Sequence, residues 1–588
     1  MSEIDKIQAG VSKVFEHRQN FLVIGLTGRT GSGCSTAAKI LSSPNYADLD
    51  LPSVKNPPTS HEDRKLRIID AWLTEKWSPF QIIQVPQIIM AKVLKEGFDR
   101  LVQTVAKING SCDLSSLKAE FEAVTESLQR TEKTISEIGR ATPDEIEEAH
   151  LMYFATLPTI VTNLKIALKT PTGQIYTQVF QHFGNNIRKS GNAHLTAINP
   201  DAIFTIPEQI HGLIRLCRAY NSLKGITRQY FVIDTLRHPY EIRYLRERIS
   251  SFYAVAVVTD EASRRSRLHA LDLKKTEIEA LDNEYPDNID DKIIDYNNLV
   301  NQNIQACLEL ADIYISNIND SNKRPASALT RQLMRYVALM QHPGLVTPTP
   351  VERCMQAAFG ARANSGCISR QVGAVVTNVN YSVKAVGWND VPQGQVPCVL
   401  RNVTHLLKGN YDHAAYSDYE KKNENLHSEL KRQFKFKIVN FDESKNARNL
   451  SFCFKTSYNN FNPKGNNQVH TRSLHAEENA FLQISKYGGQ GIEGGHLFTT
   501  ASPCELCAKK AYQLGIKTIH YIDPYPGISI DHVLGSGTRK PELRLFYGAI
   551  GGAYHDLYEP IMPFKDELAL FGISNPYPDE KHIRTLIE

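Results

Sequence analysis

A histidine and two cysteines in the C-terminal half of the chain have the residue types and the spacing that a metal site needs. His475 stands in LHAEENAF, and Cys504 and Cys507 follow in GHLFTTASPCELCAKK. Each motif is predicted to open a helix, where the positive end of the helix dipole stabilises thiolates. Zinc favours nitrogen and sulfur ligands in a tetrahedron, and a catalytic zinc keeps one position for water. The three residues therefore predict a zinc site.

Glu477 lies two residues after His475, too close for both side chains to bind one metal comfortably. We expect it to transfer protons, as the glutamate of zinc nucleobase deaminases does when activated water attacks C4 of cytosine. A redox pair is the alternative for the two cysteines, and an ordinary helix surface is the alternative for the histidine and glutamate. The two motifs in this order favour a zinc hydrolytic site.

A glycine-rich loop lies near the start of the chain, in FLVIGLTGRTGSGCSTAAKIL. A strand, a turn and a helix without a break are the order that a phosphate-binding loop requires. Cys34 stands where such loops carry a lysine, and a thiol at its ordinary pKa cannot supply that charge. We therefore expect nucleotide binding to survive better than phosphoryl transfer, and favour a sensing or scaffold role over an active kinase or a purely structural domain. The predicted loop residues are Gly28, Arg29, Thr30, Gly31, Ser32, Gly33, Cys34, Ser35 and Thr36.

Other residues are predicted to complete this phosphate site. Asp234, in YFVIDTLRHP, resembles the magnesium-side carboxylate of nucleotide-kinase-like P-loop proteins, and Ser35 is placed to reach the same ion. Arg29 is expected to compensate in part for the missing lysine. The predicted phosphate contacts are Arg188, Arg264 and Arg265.

Strands alternate with helices through the first half of the chain, which predicts a parallel sheet covered on both faces. Helical periodicity from about 90 to 170 predicts an insertion, either a lid or packing arm or a solvated hairpin. The predicted domains are 1–325, P-loop NTPase-like; 326–350, a linker helix and loop; and 351–588, a second α/β domain. In the second domain a polar stretch from roughly 398 to 471 is predicted to be loops with a helix.

Four segments resemble the deoxycytidylate deaminase family, namely SGCISRQVGAVV, AVGWNDVPQGQVPC, HAEENAF and SPCELCAKKAYQLGIKTIHY. The resemblance implies an α/β/α domain with a mixed five-stranded sheet, a homo-oligomer with a hexamer favoured, and free dCTP or dCMP as substrate. It implies that Asn389 holds the deoxyribose. Arg370 and Lys509 are candidate phosphate contacts, with surface salt bridges as the alternative. Further predicted positions are Ala476 and Ser502 beside the substrate, and Cys367 and Cys398, with His470 nearby, at a second metal.

The whole chain resembles bacterial antiviral cytidine deaminases, in which a P-loop domain precedes the deaminase. This resemblance implies depletion of cytosine deoxynucleotides during phage infection and an inhibitory small RNA. The alternative function is a deaminase of RNA or single-stranded DNA, for which KRQFKFK in the polar stretch offers a binding segment. A formal charge of +4 over 588 residues counts against it. No apolar run reaches membrane length, and the polar start is no secretory signal, so we expect a cytoplasmic protein.

Overall fold

The computed structural model describes residues 3–52, 54–109, 113–170, 173–270, 296–318, 327–409, 413–440, 448–462, 471–488, 491–523 and 529–571. The chain divides into two compact units. The first comprises Met1–Thr347 together with Gly552–Glu588, and the second comprises Pro348–Gly551. Among the described residues no helix is both long enough and apolar enough to cross a membrane.

The first unit contains a parallel sheet whose strands run in the order β7, β6, β1, β5, β2. Its central strands are buried along almost their whole length, as expected for a parallel sheet covered on both faces. The predicted parallel sheet is therefore present, and β2 is a further strand that the sequence pattern did not reveal. The strands of this unit are β1 (Phe21–Thr27), β2 (Gln81–Gln84), the small hairpin β3 (Lys169–Thr170) and β4 (Gly173–Gln174), β5 (Gln229–Asp234), β6 (Phe252–Val258) and β7 (Ile313–Ser316).

The stretch from about 90 to 170 is helical and packs into the core of the first unit. Phe121 and Leu128 are buried in the same apolar cluster as Val23 and Phe231 of the sheet. This packing favours a structural arm over a solvated hairpin. The helices of the unit are Glu3–Asn20, Cys34–Leu41, His61–Lys76, Val85–Leu94, Phe98–Asn109, Lys118–Ser136, Pro143–Leu151, Leu157–Ala167, Tyr176–Ser190, Thr205–Leu223, Pro239–Arg248, Glu261–Ala270, Tyr296–Val300, Ile304–Glu309, Ser327–Gln341 and, near the end of the chain, Gly551–Tyr558 and Phe564–Leu570.

The unit boundaries differ from the predicted domain limits at both ends of the second unit. The helix Ser327–Gln341, predicted as a linker, is almost wholly buried and belongs to the first unit. The residues after Gly551 also cluster with the first unit, where the Gly344 N–H donates to the Leu557 carbonyl at 2.9 Å. Linkers between domains are usually exposed and polar. The apolar residues of this helix instead pack into the core of the first unit.

The second unit contains a mixed five-stranded sheet in the order β12, β11, β10, β8, β9. Strands β10, β11 and β12 are parallel, and β8 is antiparallel to both β9 and β10. This is the mixed sheet that the resemblance implied. The strands of this unit are β8 (Gly373–Thr377), β9 (Val383–Trp388), β10 (His496–Ala501), β11 (Thr518–Asp523), β12 (Glu542–Leu545) and β13 (Gly548–Ala549), and its helices outside the polar stretch are Pro350–Ala361, Ala476–Tyr487 and Glu505–Gln513.

The polar stretch before His475 is more helical than predicted and has a core of its own. Tyr416, Leu426 and Phe452 are buried together there, although the stretch is rich in polar residues. The side chains of Asn402 and Ser417 cap two of its helices, which explains how such short helices form. Its helices within the described residues are Val403–Leu407, Asp418–Lys422, Glu424–Asn440 and Phe454–Phe461.

Candidate metal centre and nucleotide loop

His475, Cys504 and Cys507 come together at the starts of two helices of the second unit. His475 is the N-cap of Ala476–Tyr487, and Cys504 is the N-cap of Glu505–Gln513, which follows β10. The His475 Nδ1 lies 3.2 Å from the Cys504 Sγ and 3.6 Å from the Cys507 Sγ. Their ligand atoms all lie within 4.8 Å of one another, and in the described part of the chain no other group of three or more such side chains does this.

The donor set and its geometry fit zinc. Bond lengths of about 2.0 Å to nitrogen and 2.3 Å to sulfur place tetrahedral nitrogen and sulfur ligands about 3.6 Å apart, close to the observed separations. The pKa of the Cys504 thiol is lowered by a hydrogen bond with Cys507 and, against the opposing effect of burial, by the His475 imidazole. The thiolate is the form that binds a metal, so a cysteine that readily loses its proton is suited to be a ligand. The three side chains can therefore hold zinc and leave a fourth position open.

Glu477 points into the interior beside this cluster. Only 4% of the residue is exposed, and its Oε1 lies 3.1 Å from the Thr499 hydroxyl, which can donate to it. Burial raises the pKa of the Glu477 carboxyl, while the nearby His475 lowers it. A buried carboxyl that does not belong to the ligand cluster is suited to carry a proton.

The side chain of Asn389 is held in place by two hydrogen bonds to the backbone. The Asn389 side chain accepts from the Val372 N–H at 2.7 Å and donates to the Arg370 carbonyl at 2.8 Å. One N–H and one lone pair of its amide are left for another partner. The sugar contact predicted for Asn389 stays a prediction.

Gly387 lets strand β9 approach the helix Ala476–Tyr487 closely, a role that the sequence did not reveal. A Cβ at Gly387 would lie 2.3 Å from the Ala476 carbonyl oxygen and 2.5 Å from the Ala480 nitrogen. In the same contact the Asn479 side chain donates to the Trp388 carbonyl at 2.9 Å. The Gly-Trp-Asn turn is therefore built to position Asn389 beside the residues that follow His475.

The other predicted residues of the second unit differ in burial and in their position relative to the helix starts of the cluster. Ala476 and Ser502 are buried and adjoin its helix starts, whereas Lys509 is exposed on the helix Glu505–Gln513. Arg370 is half-buried next to the Asn389 turn. These roles stay predictions.

The second metal predicted at Cys367 and Cys398 has no cluster of three or more candidate ligands in the ranges that the structure describes. Cys398 is buried, and an Arg472 nitrogen lies 3.9 Å from its sulfur. His470, the other residue considered, lies outside the described residues. The second metal therefore stays a prediction.

The glycine-rich loop joins β1 to the helix Cys34–Leu41 in the order that its motif predicts. Cys34 is buried, whereas Ser35 and Thr36 are exposed in the first helical turn. Asp234 ends β5, which pairs with β1, so the carboxylate lies at the sheet edge from which the loop emerges. Burial, followed by the charge of Asp234, raises the pKa of the Cys34 thiol to about 12, so this position is neutral.

The arginines predicted at this loop are engaged in ion pairs. Arg29, Arg264 and Arg265 all contact the Glu261 carboxylate, at 3.6, 2.8 and 2.7 Å. Arg188 is buried and pairs with Glu241 at 2.8 Å. These side chains order the surroundings of the loop, and their phosphate contacts stay predictions.

Two arginines next to the loop were not predicted from the sequence: Arg267 donates to the Gly31 carbonyl at 3.3 Å, and the other is Arg237. Its guanidinium donates to the Thr30 hydroxyl at 3.4 Å, and its positive charge acts on the Cys34 thiol. The only signal in the sequence is its place three residues after Asp234, at the end of a strand. Its nearness to the loop depends on the pairing of β5 with β1, which residue spacing does not reveal.

The nitrogen and sulfur cluster with its buried glutamate has the features of a zinc hydrolase site. Residues 348–523 match the family described as "Cytidine and deoxycytidylate deaminase zinc-binding region". The match lies in the region that contains the cluster, and the resemblance of this region to the deoxycytidylate deaminases is confirmed.

Two curated relatives and one solved structure are similar to parts of the chain. ComE operon protein 2 of Bacillus subtilis (strain 168) is 44% identical over 54 residues, which are 9% of this chain and 28% of that protein. Deoxycytidylate deaminase of Enterobacteria phage T4 is 29% identical over 171 residues, 29% of this chain and 76% of that enzyme. The dCMP deaminase of cyanophage S-TIM5, solved with dCMP and dUMP, is 22% identical and covers 33% of this chain and 95% of its own, with a TM-score of 0.20. The chain thus spans little more than a quarter of the first of these relatives.

Proposed function

We propose that this protein is a zinc-dependent deaminase of free deoxycytidine nucleotides. It would convert dCTP or dCMP and water into dUTP or dUMP and ammonia. The convergence of His475, Cys504 and Cys507 beside the buried Glu477, inside the region that matches the deaminase family, carries this proposal. In a cell the reaction would deplete cytosine deoxynucleotides, and we propose antiphage defence as its role.

The side chains of the site divide the work of this reaction. Zinc, when bound, supplies the Lewis acid that activates water at neutral pH. Glu477 takes a proton from the attacking water and delivers it to N3 of the cytosine ring. It then takes a second proton from the hydroxyl now bound to C4 and delivers it to the amino group, which leaves as ammonia while the C4 carbonyl forms. The carboxylate ends the cycle in the state in which it began. Burial of Glu477 keeps bulk water away from these transfers.

Asn389 is proposed to orient the sugar next to this site. Its backbone hydrogen bonds at 2.7 and 2.8 Å fix the plane of the amide, and an amide can both donate to and accept from a sugar hydroxyl. A fixed amide loses little freedom when substrate binds, which favours accurate placement of the base.

A panel of nucleotides tests the proposed substrate. We expect purified protein with one added equivalent of zinc to release ammonia and the matching uracil nucleotide from dCTP, dCMP or both, as resolved by anion-exchange chromatography. Cytidine nucleotides, free cytosine and a single-stranded oligonucleotide with one cytosine serve as controls. Turnover of the oligonucleotide without turnover of any free deoxynucleotide would replace the proposal by a nucleic-acid deaminase.

We further propose that the first unit binds a nucleotide with magnesium at the glycine-rich loop, where Ser35 and Asp234 would reach the ion. Arg237 would supply the charge that Cys34 lacks, because its guanidinium already lies against Thr30. Binding there would gate the deaminase. Arg29 is the weaker candidate, because Glu261 holds it at 3.6 Å.

Replacing Arg237 by alanine should weaken nucleotide binding to the first unit. A charge-assisted contact to phosphate contributes about 1.5 to 3 kcal/mol, so we expect the dissociation constant of magnesium ATP to rise about tenfold or more. Equilibrium binding of a fluorescent ATP analogue measures this. Arg237→Lys should retain part of the affinity, and Arg29→Ala is the matched control within the motif. The opposite order, with Arg29→Ala the more damaging change, would reject the assignment.

Arg237 is a cleaner position for this test than the loop glycines. Gly33 has a φ of +109°, and a Cβ there would lie 2.2 Å from the Asn317 side-chain nitrogen. A substitution such as Gly33→Asp would therefore distort the loop itself as well as fill the phosphate site. A loss of binding in that variant would not separate the two effects.

A further inference from the structure

A cavity of about 580 Å³ lies in the first unit and has no part in the proposed reaction or in the glycine-rich loop. Its floor is formed where strands begin, with Phe21 opening β1, Gln229 opening β5, and Ile249 shortly before β6. The glycine-rich loop leaves the other end of β1, about 20 Å away along a strand of seven residues. The cavity is therefore a separate site at the opposite edge of the sheet.

Basic side chains from several helices line this cavity. His211, Arg215 and Arg218 project from the helix Thr205–Leu223 at spacings that place them on one face. Lys13 comes from the helix Glu3–Asn20 on the other side. Arg248, the last residue of the helix Pro239–Arg248, completes the basic lining. Such a convergence of separate elements gives the cavity a concave, positively charged wall.

The charges in the cavity are only partly balanced by carboxylates, since one Arg248 nitrogen lies 4.0 Å from the Glu247 carboxylate outside the lining. Lys13, Arg215, Arg218 and Arg248 face a single acid in the lining, Glu16, which leaves a net charge of +3. In the described part of the chain neither Arg215 nor Arg218 forms an ion pair, and the Arg218 guanidinium lies 4.8 Å from the centre of the Phe21 ring. Like charges held close together repel one another, and a bound anion would relieve this repulsion.

The same positive potential acts on His211. Burial lowers the pKa of this imidazole, and the charges of Arg215, Arg248 and Arg218 lower it further. His211 is therefore favoured in its neutral form, which can either donate to or accept from a ligand. The three arginines remain charged at any physiological pH.

We infer that this cavity binds a small molecule that carries at least two phosphate groups, such as a nucleoside polyphosphate or an inorganic polyphosphate. Guanidinium groups match phosphate oxygens in charge and in fork geometry, and Arg215 and Arg218 are adjacent on one helix face. The volume falls within the range of about 300 to 1,000 Å³ typical of small-ligand sites. Phe21, Ile214 and Ile249 provide an apolar surface for the rest of a nucleotide.

Titration of the full-length protein with inorganic triphosphate tests this inference by calorimetry at low salt. We expect one equivalent to bind at this cavity, with a dissociation constant that rises at least about tenfold in Arg215→Gln/Arg218→Gln. The same equivalent should persist in Arg237→Ala, which addresses the glycine-rich loop. Arg130→Gln is the matched control, because Arg130 is an exposed arginine of the same unit that pairs with Glu126 and Glu148.

Nucleoside triphosphates distinguish the two sources of phosphate. Tighter binding of a nucleotide than of inorganic triphosphate, lost in the double variant, identifies a nucleotide site, and equal binding identifies a polyphosphate site. The inference fails if the wild type shows no equivalent that the double variant weakens. It also fails if Arg130→Gln weakens binding as much. Both arginines are exposed, so the double variant should fold normally, and an unchanged melting temperature checks this.

Discussion

Glu477→Gln is expected to lower kcat for deoxycytidine nucleotides by about three orders of magnitude, because general acid and base catalysis contributes roughly 10² to 10⁴ in rate. Glutamine has nearly the same shape and can still contact Thr499, which lies 3.1 Å from Glu477. It cannot accept a proton from water or return one to the base. The zinc content and the melting temperature should therefore stay at the wild-type level while turnover, measured by ammonia release, is lost.

Glu478→Gln is the matched control for this experiment. Glu478 is the next residue of the same helix, but its side chain is half-exposed and pairs with Lys510. Surface ion pairs contribute only about 0 to 1 kcal/mol, so this variant should keep nearly full activity and stability. An equal loss of kcat in both variants would show that the negative charge near the helix start is what matters. Proton transfer by Glu477 would then not explain the effect. Retention of activity in Glu477→Gln would contradict the proposed mechanism.

The local parts of both candidate sites could be predicted because short motifs determine them. His475 and Glu477 lie within a stretch of three residues that opens one helix in the structure. Cys504 and Cys507 lie within a stretch of four residues that opens another. The preference of zinc for nitrogen and sulfur ligands then indicates which of these side chains are expected to lie together. The glycine-rich loop is equally local, since the strand before it and the helix after it are contiguous in the chain.

The parts that could not be predicted depend on contacts between distant residues. Arg237 contacts Thr30, which lies 207 positions earlier in the sequence. The contact depends on the pairing of β1 with β5, which no single motif encodes. Gly387 is explained by its distance to Ala476, a helix residue that lies beyond the whole polar stretch. A lone glycine or arginine in a sequence carries no mark of such a contact.

The polar stretch and the unit boundaries show how packing can override composition. Arg401 is fully buried against Glu420 and stacks over Phe452, although both charged residues are typical of surfaces. A few apolar residues and a buried ion pair are enough to organise this stretch. Composition alone therefore predicted loops with a single helix where the described residues form several helices. The helix Ser327–Gln341, predicted as part of a linker, is almost wholly buried and clusters with the first unit.

Cys507→Ala is expected to remove one equivalent of zinc per chain and to reduce deaminase activity to background. Cys507 is 1% exposed and is one of the three proposed zinc ligands, so its loss would leave only the nitrogen of His475 and the sulfur of Cys504. Two protein ligands do not complete a zinc site. Elemental analysis of the purified variant measures the metal, and ammonia release from the best substrate of the nucleotide panel measures turnover.

Cys354→Ala separates loss of the metal from loss of packing. Cys354 is as deeply buried in the same unit, and its sulfur contacts the Tyr381 carbonyl at 3.6 Å, outside the ligand cluster. Removing either buried sulfur should cost about 1 kcal/mol in packing, so the two variants should be destabilised alike apart from the contribution of the metal. Only Cys507→Ala should lose zinc and turnover. If Cys507→Ala keeps the wild-type zinc content and kcat, the two cysteines do not hold the metal and the proposed hydrolytic site is wrong.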